Sequence, residues 1–168
     1  YDNNNRLDSV SNHGLISTYA YSGKTVTATD PGGKSSSKTV NNMGQVVSAT
    51  DNGGTITYTY CSNGQPKTIS APGSTIENRY DDYGRQTKMI DPDVGTTTYV
   101  YNGFGELISQ TDTIGNTYTM SYDNAGRLTQ KTGPEGNYIY TYVPNGEPGA
   151  GLVQNIKSPG DTVAYIYN

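Results

Sequence analysis

Tryptophan is absent, and cysteine, histidine and phenylalanine occur once each, as Cys61, His13 and Phe104. A lone thiol forms no internal disulfide, and one His beside one Cys falls short of the ligand set of a zinc site. Bulky aliphatics are scarce too. Val, Ile, Leu and Phe total 26 of 168 residues, about 15%, under the ~20% at which an ordinary hydrophobic core becomes doubtful. No apolar run approaches the ~20 residues of a membrane-spanning helix, and none forms a signal-peptide core. Membrane insertion by this segment is not expected, and any export signal is expected outside it. Charge is thin as well, with 11 basic against 15 acidic groups for a net charge of -4. No Lys/Arg cluster offers phosphates the concentrated positive charge they require, which excludes nucleic acid as a partner. The low net charge equally separates the chain from disordered segments of high charge.

Tyrosine and threonine take the place of the aliphatics, at 16 and 23 residues. Both suit a half-buried pleated surface. Gly at 21 and Pro at 8 weaken helices and favour turns. A helical protein is excluded.

An internal repeat organises the chain. Tyr60 to Gly64, Tyr80 to Gly84, Tyr101 to Gly105, Tyr122 to Gly126 and Tyr142 to Gly146 each begin with Tyr, continue with three mostly polar or small residues and end in Gly. Val40 to Gly44 is the same unit with Val for Tyr, and Tyr21 to Thr25 is a degenerate copy. Tyr1 opens the first unit, with Asn5 at the Gly position, and Asn is among the non-Gly residues best able to adopt the left-handed conformation there. Units start near 1, 21, 40, 60, 80, 101, 122 and 142, with a ninth beginning at 167. The expectation is one array of eight repeats over residues 1–168, a section of a longer protein.

A second turn falls half-way along each unit, as in Asp30-Pro31-Gly32-Gly33, Ala71-Pro72-Gly73 and Gly133-Pro134-Glu135-Gly136. Pro presets the early turn position and Gly supplies positive φ later. Two turns about ten residues apart leave room for two short strands, so one repeat is one β-hairpin and the chain should hold some sixteen strands. The strand before each Tyr alternates with period two: Thr55 to Tyr60 sets Ile56, Tyr58 and Tyr60 on one face and three Thr on the other. Stacked hairpins then align a Tyr ladder. The predicted fold is all-β: tandem antiparallel hairpins of about 20 residues in a curved, solenoid-like sheet or part of a hollow β-shell, held by nearest-neighbour stacking.

Tyr80-Asp81-x-x-Gly84-Arg85 and Tyr122-Asp123-x-x-Gly126-Arg127 resemble the YD repeat of the Rhs family, and Tyr1 to Arg6 matches apart from Asn5. The resemblance covers the whole chain. It extends to Rhs toxins, cocoon-forming components of Tc toxins, wall-associated proteins and teneurins. It implies hairpins that spiral into a hollow shell, a secreted or cell-surface setting, and in the bacterial toxins an enclosed toxin or other cargo polypeptide. The family's self-cleaving acidic segment has no counterpart in these residues, so no catalytic role is carried over.

Individual residues lead to the same expectation of a scaffold with no enzymatic activity, metal or cofactor. Asp91/Asp93 and Asp81/Asp82 are turn carboxylates, which cap backbone amides. Asp91-x-Asp93-x-Gly95 lacks the third carboxylate and distal Glu of a calcium loop. His13 sits in a mid-repeat turn, and Cys61 fills the place where other units carry Asp or Asn. Arg6, Arg85 and Arg127 are expected to pair with a carboxylate or turn carbonyl of an adjacent repeat. The Tyr rows are read as the ladder joining neighbouring repeats. The alternative is a carbohydrate-binding or adhesive filament, self-associating through its end strands.

Overall fold

A computed structural model describes residues 1–167. Asn168, the second residue of the expected ninth unit, lies outside the described residues. Sixteen strands and no helix occur among them, as the hairpin count required. The chain divides into two units, one of Tyr1–Asn78 with Asp91–Asp93, the other of Arg79–Ile90 with the residues from Val94 onward.

In the first unit the strands are β1 (Ser9–Asn12), β2 (Leu15–Ser22), β3 (Thr25–Thr29), β4 (Ser35–Val40), β5 (Val46–Asp51), β6 (Gly54–Tyr60), β7 (Pro66–Ala71) and most of β8 (Ser74–Tyr80). Each pairs antiparallel with the next. The second unit holds most of β9 (Gln86–Asp91), then β10 (Gly95–Tyr101), β11 (Leu107–Thr111), β12 (Thr117–Tyr122), β13 (Leu128–Gly133), β14 (Gly136–Tyr142), β15 (Val153–Lys157) and β16 (Thr162–Ala164), again in chain order. Antiparallel neighbours need only tight turns between them, which the Gly, Pro and Asn residues supply.

Alternation sorts the faces. In β14, Tyr138, Tyr140 and Tyr142 are half-buried while Asn137, Ile139 and Thr141 are exposed. In β12, Tyr118, Met120 and Tyr122 are half-buried between exposed Thr117, Thr119 and Ser121. The exposed face is knitted by hydroxyl pairs across strands, such as Thr50 with Thr55 at 2.9 Å and Thr59 with Thr68 at 2.6 Å. All sixteen strands among the described residues belong to one sheet. Among the described residues only Val143, at 5% exposure, is a buried hydrophobic. Stability therefore rests on contacts between successive hairpins.

Candidate functional site

The repeat turn carries most of the chain's side-chain chemistry. At Asp81–Arg85 the Gly84 N–H donates to the Asp81 carbonyl and the Asp81 N–H to the Arg85 carbonyl, both at 2.9 Å. Gly84 takes φ +80°, the left-handed region in which a Cβ is penalised. Asp81 Oδ1 accepts the N–H groups of Tyr83 at 3.0 Å and Arg85 at 2.9 Å, and Oδ2 accepts Arg85 Nε at 2.7 Å. Asp2 with Arg6 and Asp123 with Arg127 repeat this network, and Asn5 holds φ +62° at the Gly position. An Asp at the first turn position thus caps two amides and grips the Arg that follows four residues later.

The Arg residues reach the next repeat through their planes rather than through a second carboxylate. Arg6 lies 4.2 Å from the Tyr21 ring centre, Arg85 4.9 Å from Tyr101 and Arg127 4.4 Å from Tyr142, a cation–π geometry. The carboxylate partner sits in the same turn, not in the adjacent repeat. The expected link to an adjacent turn carbonyl is made by Arg85 Nη1, which donates to the Asn102 carbonyl at 3.0 Å.

Those same tyrosines lock the ladder. Tyr101 OH donates to the Gln86 carbonyl, Tyr122 to Leu107 and Tyr142 to Leu128, at 2.7 to 3.0 Å. In the first unit Tyr21 donates to Leu7 and Tyr60 to Val46, at 2.8 and 2.6 Å. The acceptor always lies just beyond the preceding turn. At Val46, Leu107, Leu128 and Val153 this is where the strand register slips by a residue. A bulge leaves ladder groups incompletely paired, and the incoming hydroxyl satisfies one of them. Sequence reasoning placed the Tyr rows but not these acceptors, because a carbonyl leaves no mark in the sequence.

Two of the units that lack Asp and Arg replace them with a matched pair. Asn41 Nδ2 donates to Gln45 Oε1 at 2.8 Å, and Asn102 Nδ2 to Glu106 Oε2 at 2.6 Å. In both, the Asn Oδ1 still caps the two turn amides. Where the second residue accepts, the first donates. In the Cys61 turn, Gly64 N–H still donates to the Cys61 carbonyl at 2.9 Å, and Asn63 Oδ1 accepts the Gln65 N–H at 3.1 Å.

Two units depart from the expected alignment. Tyr21 pairs with Val26 across the short turn at Gly23 (φ +56°), without a register slip. The turn after Tyr142 expands into a loop over residues 143–152, and Tyr142 pairs with Val153. Gly146 lies inside that loop, and Gly151 takes the position expected of it. Its N–H donates to the Val143 carbonyl at 2.9 Å, and a Cβ built there would stand 3.8 Å from Arg127 Nη1, as one at Gly105 would stand 3.9 Å from Arg85 Nη1. The five extra residues explain the longer final spacing.

Electrostatics follow from the turns. The guanidinium and backbone N–H of Arg6 hold Asp2 below the usual carboxylate range, and Arg127 does the same for Asp123. At Asp81 burial pulls upward, but the Arg85 N–H and guanidinium outweigh it and the net direction is down. Burial raises Tyr101 with help from Tyr99, and raises Tyr122 with help from Glu106.

The remaining candidates stay apart from one another. His13 adopts φ +51° in its turn, its Nδ1 2.6 Å from Asn12 Oδ1. Asp91 Oδ1 accepts the Asp93 N–H at 2.9 Å, and Asp93 Oδ2 accepts Ser74 Oγ at 3.3 Å. Among the described residues no three His, Cys, Asp or Glu side chains converge as metal ligands. A hollow of about 370 Å³ in the first unit lies between Tyr19, Asp30, Lys34 and Asp51, where Asp30 caps the Lys34 N–H and Asp51 the Gly53 N–H.

Hairpins joined by a turn-capping carboxylate, a stacked guanidinium and a tyrosine hydroxyl define a β-hairpin repeat protein. Residues 80–113 and 101–138 match the Rhs repeat family model, so this stretch of the chain carries Rhs/YD repeats. No curated protein sequence matches it. Among solved structures, it is similar in fold to TcdB2-TccC3-Cdc42, with 15% identity, a TM-score of 0.76 and 94% of this chain covered, and to TcdB2-TccC3-TEV, with 16%, 0.73 and 93%. TcdB2-TccC3 without its hypervariable C-terminal region matches at 15% identity and TM-score 0.56 over 94% of this chain. The match spans 10% of each of those chains.

Proposed function

We propose that this chain is a non-catalytic section of the wall of a larger, secreted or cell-surface Rhs-type protein that encloses or presents a polypeptide such as a toxin domain. The observation that carries the reading is the use of the repeat's reactive side chains. Asp2, Asp81 and Asp123 are spent on turn amides and Arg, and the Arg and Tyr residues on the neighbouring repeat. General acid–base work needs a carboxylate free to exchange its proton in a cleft; these are committed to geometry. Similarity of fold to a tenth of the TcdB2-TccC3 chains supports a single array continued by further repeats.

Limited proteolysis of a full-length polypeptide carrying these repeats tests the wall. Cleavage of the enclosed segment only after the repeats unfold supports it, and immediate cleavage under native conditions overturns it. A second reading, an adhesive or carbohydrate-binding filament, is favoured by Tyr83 and Phe104, which are 86% and 93% exposed on turns at the same hairpin edge of successive repeats. Sedimentation and scattering across a concentration series separate the two: a discrete species fits the wall, and growth into fibres fits the filament.

A further inference from the structure

The repeat from Tyr101 breaks the pattern at one place. Where Arg6, Arg85 and Arg127 stack on the tyrosine of the following repeat, this repeat presents Glu106 beside Tyr122. A carboxylate cannot donate to the next turn, as Arg85 Nη1 does to Asn102 and Gln45 Nε2 does to Gly64. Nor does it gain from the negative face of an aromatic ring. Oε2 takes the Asn102 amide at 2.6 Å, and no described residue donates to Oε1. A Cβ built on Gly126 would stand 3.3 Å from Oε1, so glycine leaves the approach open.

The surroundings form a hollow of about 530 Å³, whose lining includes Glu106, Phe104, Ile108, Met120, Tyr122 and Gly126. Phe104 is 93% exposed and also borders a second hollow beside Tyr83 and Arg85. The other carboxylate at the rim, Asp123, is neutralised by Arg127 at 2.7 Å. The negative charge in the hollow is therefore that of Glu106, flanked by two aromatic rings.

We propose that this hollow is a docking site for an arginine side chain presented by a second polypeptide. The equivalent slots show what the geometry accommodates: a guanidinium that meets a side-chain oxygen on its edge and a tyrosine ring on its face. Here the chain supplies the oxygen and the ring, and the partner supplies the guanidinium. Ile108 and Met120 receive the aliphatic stem. The site does not depend on whether the repeats wall a shell.

The test is titration of the isotopically labelled chain at low ionic strength with a blocked Gly-Arg-Gly peptide and its citrulline counterpart, reading backbone amide shifts. The arginine peptide should shift the amides of Phe104, Glu106 and Gly126 saturably. Citrulline, which keeps the shape and loses the charge, should bind at least about tenfold more weakly. Glu106→Gln should weaken the arginine peptide equally while leaving remote amides unmoved, because the Asn41–Gln45 pair shows that such a turn forms. Glu106→Arg should remove the charge that attracts the peptide and abolish binding. Equal affinity for citrulline, equal affinity after Glu106→Gln, or no saturable shift at these amides up to about 10 mM peptide would overturn the proposal.

Discussion

Tyr142 donates its hydroxyl to the Leu128 carbonyl at 2.7 Å, and its ring lies 4.4 Å beneath the Arg127 guanidinium. One side chain thus completes both the turn and the register slip of the preceding repeat. Tyr142→Phe keeps the ring and removes the hydrogen bond. It should cost about 1 kcal/mol, read as a lowered midpoint in urea with an unchanged slope. Tyr83→Phe, at an exposed tip, should leave the midpoint in place.

Gly126 at φ +75° and Asn5 at φ +62° occupy equivalent positions. Gly126→Val forces a β-branched residue into the left-handed region and should cost more than about 1 kcal/mol. Gly126→Asn should cost distinctly less. Matched thermal melts of the two variants rank them, and equal midpoints would sink the turn assignment.

Asp123 and Arg127 should be replaceable together but not singly. Asp123→Asn leaves Arg127 without its anion, and Arg127→Gln leaves the carboxylate without its cation. The double change reproduces the Asn41–Gln45 hydrogen bond. A double-mutant cycle should show the pair more stable than the sum of the single effects predicts.

Two pH limits follow from the titrating groups. The folded-state pKa values of Asp2, Asp81 and Asp123 are lowered. The stability they contribute is present above the unfolded value near 4 and is lost as pH falls through the folded ones. Tyr101 and Tyr122 are raised. Their contribution is full below about 10 and is lost as pH rises through the folded values. Urea midpoints between about pH 3 and 11 should show a plateau with both flanks falling. Asp123→Asn should soften only the acid flank.

Much of this fold is legible in the sequence because turn geometry and side-chain type are coupled locally. Gly84 and Asn5 announce positive φ, and the alternation in Thr55 to Tyr60 announces a pleated strand with one tyrosine face. What escapes is relational. Asp123 with Arg127, Asn102 with Glu106 and Asn41 with Gln45 look like drift column by column, yet each pair matches donor to acceptor. Gly146 is misplaced because two glycines compete for one position. The fragment Gly151-Leu152-Val153 and the spacing of Tyr142 from Tyr167 were the available signal.

The loop over residues 143–152 shows that strand pairing, not residue number, keeps the count. Tyr167 still finds the Val153 carbonyl at 2.8 Å, as though no extra chain had been inserted. The rim at this turn is accordingly a graft point: an epitope, tag or small folded insert placed between Pro144 and Gly149 would ride outside the weave and leave the stitch on either side of it unbroken.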